Sequence, residues 1–291
     1  MNCRQSAHSE KEETGLVLLQ LRRRIVVAII GGPIVLLCAY FGSWPFVVLI
    51  SFILLFSLKE FYDLCERKGS APNRVLGYLF ALFILWDFYA SNGNNLTIIL
   101  PVFIIIVSIA ELWRNKESAI YNLSTTLWGV GYLAILLSFF VAIRQLPLVV
   151  GLSYSDGGYL VLLFILVFWF GDTMAYFVGS TIGKHKLAIR ISPNKTIEGA
   201  VAGFLSMILL SIVAQALFLQ FLSLIDALVI GVICGTVGQM SDLVESLFKR
   251  DAGVKDTSKI LAGHGGVFDR FDVLFLISPL IYFYLRYFAF G

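Results

Sequence analysis

Apolar stretches of about 20 residues, the length an α-helix needs to cross the hydrocarbon core of a bilayer, follow one another almost end to end in this chain of 291 residues. Roughly nine can be drawn, at about 24–41, 45–62, 75–91, 96–112, 123–143, 158–180, 197–221, 225–248 and 271–289. Composition agrees: 58% of the residues are hydrophobic and only 14% charged, where a soluble domain carries about a quarter. Collagen, disordered chains and small disulfide scaffolds are thereby excluded. Cys3, Cys38, Cys65 and Cys234 are widely spaced with no CxxC pair, so they indicate neither a disulfide framework nor a zinc site. The expected class is an all-α integral membrane protein of about nine transmembrane helices. Gly31, Gly32, Pro33, Pro101 and Pro279 fall inside spans, as kinks and close-packing positions that neighbouring helices can satisfy.

The basic residues orient these spans. With nine helices, all but two of the 22 lysines and arginines lie in the amino-terminal tail or in even-numbered connections, the exceptions being Arg144 and Arg286. The positive-inside rule then places the tail (1–23) and the even connections in the cytoplasm and the carboxyl terminus outside. The tail lacks the apolar core and small-residue cleavage site of a signal peptide, so the first span is its own insertion signal. Leu16 to Arg24 reads as a basic inner-surface anchor, with Arg22, Arg23 and Arg24 at its end. Residues 24–291 read as one polytopic membrane domain, with 24–150 as helical scaffold and 151–291 as the half that carries chemistry. The charge balance of +3 is too small to indicate nucleic acid. Asp87 is read as interfacial, near an outer end.

The second half departs from the first in its acids. Asp172, Glu198, Asp242, Glu245, Asp269 and Asp272 all lie within or at the edges of apolar runs. A carboxylate inside a span costs at least a few kcal/mol (about 2.5 to 3.5 on insertion scales), so each must face a polar cavity or a cation. All map to cytoplasmic ends, the side that also holds Lys184, Lys195, Lys249, Arg250, Lys255 and Arg270. Mixed charge at one mouth suits a polyanion carried with a divalent metal, because carboxylates hold the metal while Lys and Arg hold the remaining phosphate oxygens.

Three segments carry this pattern. In Ser241-Asp242-Leu243-Val244-Glu245-Ser246-Leu247-Phe248-Lys249-Arg250, the residues Asp242, Glu245, Ser246 and Lys249 share one helical face. The alternative reading is an acid–lysine pair at the membrane surface. The following loop holds Lys255, Asp256, Gly263, His264, Gly265 and Gly266. Its glycines let backbone N–H groups approach a ligand, ahead of a helix whose positive end favours phosphate. Asp269 and Asp272 lie i, i+3 at the start of that helix, where N-terminal capping is the competing role, and His264 is a phosphate donor or a loop-packing residue. The third segment joins Asp172-Thr173-Met174-Ala175-Tyr176 to Ser192-Pro193-Asn194-Lys195-Thr196-Ile197-Glu198-Gly199.

With these residues in view, the chain resembles the CDP-diacylglycerol synthase, or phosphatidate cytidylyltransferase, family. That family's signature S-x-x-K-R-x4-K-D-x-[GSA]-x2-[LIF]-[PG]-x-H-G-G-x-x-D-R-x-D falls in register from Ser246 to Asp272, and its D-T-x-A-Y and S-P-x-K-T-x-E-G elements match Asp172–Tyr176 and Ser192–Gly199. The likeness at motif level covers about the last 120 residues, counted from these motif positions. Ala262 stands where the family has Pro or Gly, Ser241 where Gly usually precedes the aspartate, and Val273 where a small polar residue is common.

The resemblance implies that CTP and phosphatidate react to CDP-diacylglycerol and pyrophosphate, at the cytoplasmic side of the carboxyl-terminal half. It gives Mg²⁺ to Asp242 and Asp269, with Glu245, Asp256 and Asp272 as further candidates. Lys249, Arg250, Lys255 and Arg270 would hold the triphosphate and the leaving pyrophosphate. Ser192, Lys195, Thr196 and Glu198 would form an opposite wall, with Asp172, Ser246, His264, Gly265 and Gly266 also counted as substrate-binding. A second cation and a homodimer are compatible with it, and a bacterial inner (plasma) membrane is the expected location. The competing classes are a related CTP-dependent transferase acting on another lipid phosphate, such as an isoprenoid-based one, and a transporter. A transporter would instead place ionisable residues at the bilayer midplane of two repeated halves.

Accessibility labelling of single cysteines in membrane vesicles tests the orientation. Positions between Lys249 and Arg270 should label from the cytoplasmic side and Gly291 from the opposite side. Labelling of both from one side would contradict the nine-span reading.

Overall fold

The computed structural model describes residues 31–116, 118–258, 260 and 265–291. The expected tail (1–23) with Arg22 and Arg23, the neighbouring Arg24, and the loop positions Ala262, Gly263 and His264 lie outside the described residues. The elements run α1 (Gly31–Phe41), α2 (Ser43–Arg67), α3 (Arg74–Ser91), α4 (Leu96–Glu111), α5 (Ala119–Val149), α6 (Tyr154–Thr181), β1 (Lys186–Ala188), β2 (Ser192–Thr196), α7 (Ile197–Phe218), α8 (Leu224–Asp251) and α9 (Phe268–Ala289). Among the described residues, α2, α3 and α5 to α9 are the seven helices long and apolar enough to cross a membrane. The 16 residues of α4, with Pro101 inside, reach about 24 Å at 1.5 Å per residue, short of a core about 30 Å thick. The protein is thus a helical integral membrane protein.

Two features depart from a plain all-helical reading. Between α6 and α7 the chain makes a short antiparallel hairpin, with Lys186 opposite Thr196 and Ala188 opposite Ser192. Pro193 is tolerated in β2 because this two-stranded ribbon is all edge. Single π-helical turns also interrupt α5 at Val130–Ile135 and α8 at Cys234–Gly238, the latter directly before the acidic face of α8.

The core is built where the spans meet. Leu54 and Leu58 of α2, Leu133 and Leu137 of α5, Phe164 of α6 and Phe275 of α9 are all completely buried. Tyr62 of α2 reaches across to donate its hydroxyl to the Thr126 carbonyl of α5 at 3.2 Å. Phe61 packs edge-on against Phe248 of α8, with ring centroids 5.8 Å apart. The carboxyl-terminal end of α2 therefore packs against both α5 and α8. Asp87, expected near a helix end, lies close to the end of α3 and is buried by protein there, where it accepts the Asn95 backbone N–H at 3.2 Å and its side-chain amide at 2.7 Å. Its carboxylate holds the turn into α4, a use that draws it out of solvent.

Arg144, one of the two basic residues outside the positive-inside pattern, is only 2% exposed. Its guanidinium donates to the carbonyls of Ala39 and Tyr40 at 3.0 Å each and of Tyr154 at 2.8 Å, and it lies 4.1 Å from the centroid of the Tyr154 ring. The last carbonyls of α1 have no partners within their own helix, and they form the negative end of its dipole, so a buried cation is stabilised there. Arg144 thereby ties α1 to α5 and α6. Replacing it with Leu should cost at least about 2 kcal/mol in detergent unfolding, since three carbonyls lose a charged donor. An unchanged unfolding midpoint would contradict this role.

Candidate active site

One end of the bundle gathers the ionisable residues. On α8 the i, i+3, i+4, i+7 spacing places Asp242, Glu245, Ser246 and Lys249 along one face, as the sequence predicts. Lys249 reaches Glu245 Oε2 at 2.6 Å and, across to α9, Asp269 Oδ1 at 2.8 Å. Asp242 receives Lys195 of β2 in a direct ion pair. Ligand oxygens of Asp242, Glu245 and Asp272 all lie within 4.8 Å of one another. Glu245 is 1% exposed, and its Oε1 meets no hydrogen-bond donor among the described residues. An unpaired buried carboxylate oxygen is costly, and a cation shared with Asp242 and Asp272 would offset that cost. The three oxygen ligands suit Mg²⁺, a hard ion that prefers carboxylates.

Asp269 is engaged differently. Besides Lys249, it accepts the N–H of Thr257 at 3.1 Å and the N–H of Gly266 at 2.7 Å, and it lies 3.1 Å from the Thr257 hydroxyl, whose proton goes to Glu60. The structure therefore groups Asp242 with Glu245 and Asp272, and uses Asp269 to join Lys249 to the loop. The N–H groups of Val267 and Phe268 at the start of α9 donate at 3.0 and 2.8 Å to Glu60 of α2. The positive end of α9, a candidate phosphate site in the sequence, holds this carboxylate instead. Asp256 and Lys255 are exposed on the loop, and Arg270 is exposed on the first turn of α9.

Beside the acids lies a cleft of about 470 Å³. Asp172 and Tyr176 of α6, Asn194, Lys195 and Thr196 of β2, and Gln239 and Asp242 of α8 line it together with the apolar side chains of Phe168, Met207 and Val273. Polar groups thus adjoin an apolar lining, the surroundings a ligand with a charged head and a hydrophobic body needs. Thr196 also works locally, since its hydroxyl caps α7 by accepting the Gly199 N–H at 3.2 Å. Glu198 and Ser192 do not line the cleft. Glu198 accepts from the His185 backbone at 3.2 Å and contacts its ring Nδ1 at 2.7 Å, closing the base of the hairpin. Arg250 donates to the carbonyls of Ile191 and Val254, both at 3.0 Å, and so fastens the hairpin to the segment after α8. Ser246 is buried on α8, its hydroxyl 3.5 Å from Asp242 Oδ1.

Glu60, Thr257 and Gln239 are the residues the sequence reading passed over. A signal existed for Glu60, a carboxylate near the end of an apolar span, which the rule for ionisable residues in spans marks as meaningful. Thr257 and Gln239 carry no comparable signal, because an isolated hydroxyl or amide is ordinary in a loop or a helix.

A bundle of membrane-spanning helices with a largely apolar cleft, edged by polar side chains, beside grouped carboxylates and lysines is the class of protein that the fold and site define. The Cytidylyltransferase family matches residues 22–288, and the chain belongs to that family. It is similar to the phosphatidate cytidylyltransferase of Bacillus subtilis (strain 168), with 31% identity over 277 residues, covering 94% of this chain and 100% of the relative. The phosphatidate cytidylyltransferases of Staphylococcus haemolyticus (strain JCSC1435), 33% identical over 90% of this chain and 97% of the relative, and of Synechocystis sp. (strain ATCC 27184 / PCC 6803 / Kazusa), 30% identical over 90% and 96%, are similar along the same length.

Gly266 has no room for a side chain, because a Cβ there would run into Thr257 Oγ1 and the Glu60 carboxylate. Gly266→Ala should therefore destabilise the loop by about 1 to 3 kcal/mol. Gly131→Ala, where a Cβ meets nothing within 4 Å, should be nearly neutral. Comparable unfolding midpoints for the two variants would argue against the close packing of loop and α2.

Proposed function

We propose that this protein transfers the cytidylyl group of CTP to phosphatidate, giving CDP-diacylglycerol and pyrophosphate in phospholipid biosynthesis. The observation that carries the reading is the acid group of half-buried Asp242 with buried Glu245 and Asp272, with Glu245 Oε1 lacking a donor among the described residues, beside a cleft lined by polar and apolar side chains. Membership of the cytidylyltransferase family and the names of the relatives support the same chemistry.

A phosphate oxygen of the lipid attacks the α-phosphorus of CTP, a new P–O bond forms, and the bond from that phosphorus to the β-phosphate oxygen breaks. The attacking oxygen is already anionic at neutral pH, so no strong general base is needed. The protein's task is to align the two phosphates and neutralise their charge. Asp242, Glu245 and Asp272 would hold Mg²⁺, with Asp269 keeping Lys249 alongside. When bound, that ion supplies charge neutralisation for the triphosphate oxygens. Lys195 shares Asp242 and faces the cleft, so it is suited to receive the lipid phosphate once the ion pair opens. Lys249, Lys255 and Arg270 supply further positive charge for the triphosphate. Arg250, two of whose donors are spent on carbonyls, holds the hairpin that carries Lys195. The apolar lining from Phe168 to Val273 would accept the first part of the acyl chains.

The orientation belongs to the same proposal. Nine spans, with α1 and α4 added to the seven long helices and the short α4 matched by local thinning of the bilayer, put the ends of α2, α6, α7, α8 and α9 that gather the site residues in the cytoplasm, where CTP is found, and the protein in a bacterial inner membrane.

The test is pyrophosphate release from CTP by purified protein in detergent–lipid micelles, with phosphatidate compared against an isoprenoid glycerol phosphate. Phosphatidate should be the faster substrate, and Asp242→Asn should abolish release while the protein stays folded, because the amide keeps shape but not charge. Preference for the isoprenoid lipid would reassign the substrate. Near-normal release by Asp242→Asn would remove that residue from the site.

A further inference from the structure

Glu60 is completely buried near the inner end of α2, and its neighbours do not balance its charge, because Lys59 and Asp63 pair with each other at 2.9 Å. Four donors surround it instead. Oε1 accepts the Ser258 hydroxyl at 2.6 Å and the Val267 N–H at 3.0 Å, while Oε2 accepts the Thr257 hydroxyl at 2.7 Å and the Phe268 N–H at 2.8 Å. All come from one loop and the start of one helix, about 200 residues further along the chain.

The N-terminus of α9 explains the arrangement. Its cap position is Val267, which offers no side-chain oxygen and makes no side-chain cap bond, so the first N–H groups of the helix need an acceptor from elsewhere. Glu60 provides it, as an anion at the positive end of the helix dipole. The hydroxyl donors, Thr257 and Ser258, lie at the other end of the same loop. One carboxylate therefore fixes both ends of the segment between Thr257 and Phe268 to α2. Thr257 carries the restraint inward, since its hydroxyl is also 3.1 Å from Asp269 Oδ2. Phe61, the next residue of α2, packs on Phe248 of α8, so both helices that bear the acid group are referenced to this one turn of α2.

We propose that Glu60 is a positioning residue for the reaction: by capping α9 and pinning the loop, it sets the placement of Asp269 and Asp272 against Asp242, Glu245 and Lys249. This rests on the cytidylyl-transfer reading of the site. Its removal should act on turnover more than on substrate binding, because displacement of reacting groups by about 1 Å is enough to lower rates by about a hundredfold.

Glu60→Gln keeps the side chain's size, loses its charge and turns an amide N–H₂ toward donors. Normalised to folded protein, it should lower kcat about tenfold or more while KM for CTP and for phosphatidate stays within about threefold. Hydrogen–deuterium exchange should quicken across Thr257 to Asp272 and stay unchanged in α3 and α4. Glu60→Asp, which retains the charge, should recover part of kcat. Unchanged kcat per folded molecule together with unchanged exchange would overturn the proposal, as would a uniform rise in exchange along the whole chain. If Glu60→Gln fails to accumulate, the double variant Thr257→Val/Ser258→Ala removes two of the four donors from the loop side. It must then show the same fall in kcat, and a normal kcat there overturns the proposal. Wild-type protein assayed in parallel separates the two claims. Absence of wild-type turnover would defeat the cytidylyl-transfer reading, and the exchange pattern would still decide the placement role.

Discussion

Lys249 stands between two carboxylates, Glu245 on its own helix and Asp269 on the next, and these contacts join α8 to α9 at the end of the bundle that carries the acids. In a membrane protein such a link has unusual weight. Lipid offers no donors, so buried acids must be satisfied by the protein itself or by a bound ion. The chain of contacts that starts at Lys249 continues through Asp269 to Thr257 and on to Glu60 of α2. Consecutive α8 and α9 and the distant α2 are thereby held around one group of acids. What is left unsatisfied within that group, Glu245 Oε1, marks where a cation would sit in the proposed mechanism.

The same economy of partners divides the residues that the family motifs bring together. Some are spent on architecture: Thr196 caps α7, Glu198 closes the hairpin, Arg250 fastens the hairpin to the loop, and Gly266 makes room for Thr257 and Glu60. Others face the cleft or the acids: Asp172, Lys195, Asp242, Glu245 and Asp272. A motif thus mixes residues positioned to touch a ligand with residues that hold the first kind in place. The hairpin shows why both kinds belong together, because Lys195 pairs with Asp242 while the strand bearing it is tied down by Arg250 and by Glu198.

The helices were legible because a run of about 20 apolar residues has few alternatives in lipid, and the face from Asp242 to Lys249 was legible because helical spacing alone defines it. The hairpin was hidden: three and five residues, one of them Pro193, carry too little alternation to be told from a turn. The π turn before Gln239 leaves no mark in a hydrophobicity pattern. Glu60 went unread for a different reason. Its partners are mostly backbone N–H groups at Val267 and Phe268 and hydroxyls at Thr257 and Ser258, and a residue-type pattern cannot reveal a contact made across the whole chain. The family resemblance makes Asp269, with Asp242, a leading Mg²⁺ ligand, and no pattern of residue types shows the Lys249, Thr257 and Gly266 donors that engage it in the structure.

Cytidylyl transfer at this site requires Asp242, Glu245 and Asp272 to act together as a cation site. Direct titration of the purified protein with Mn²⁺, a paramagnetic stand-in for Mg²⁺, measures this without substrates by following the electron paramagnetic resonance signal of the free ion. Saturable binding is predicted, competed by Mg²⁺ and weakened about tenfold or more by Glu245→Gln and by Asp272→Asn. Binding that is absent in the wild type, or that survives both substitutions unchanged, would contradict it.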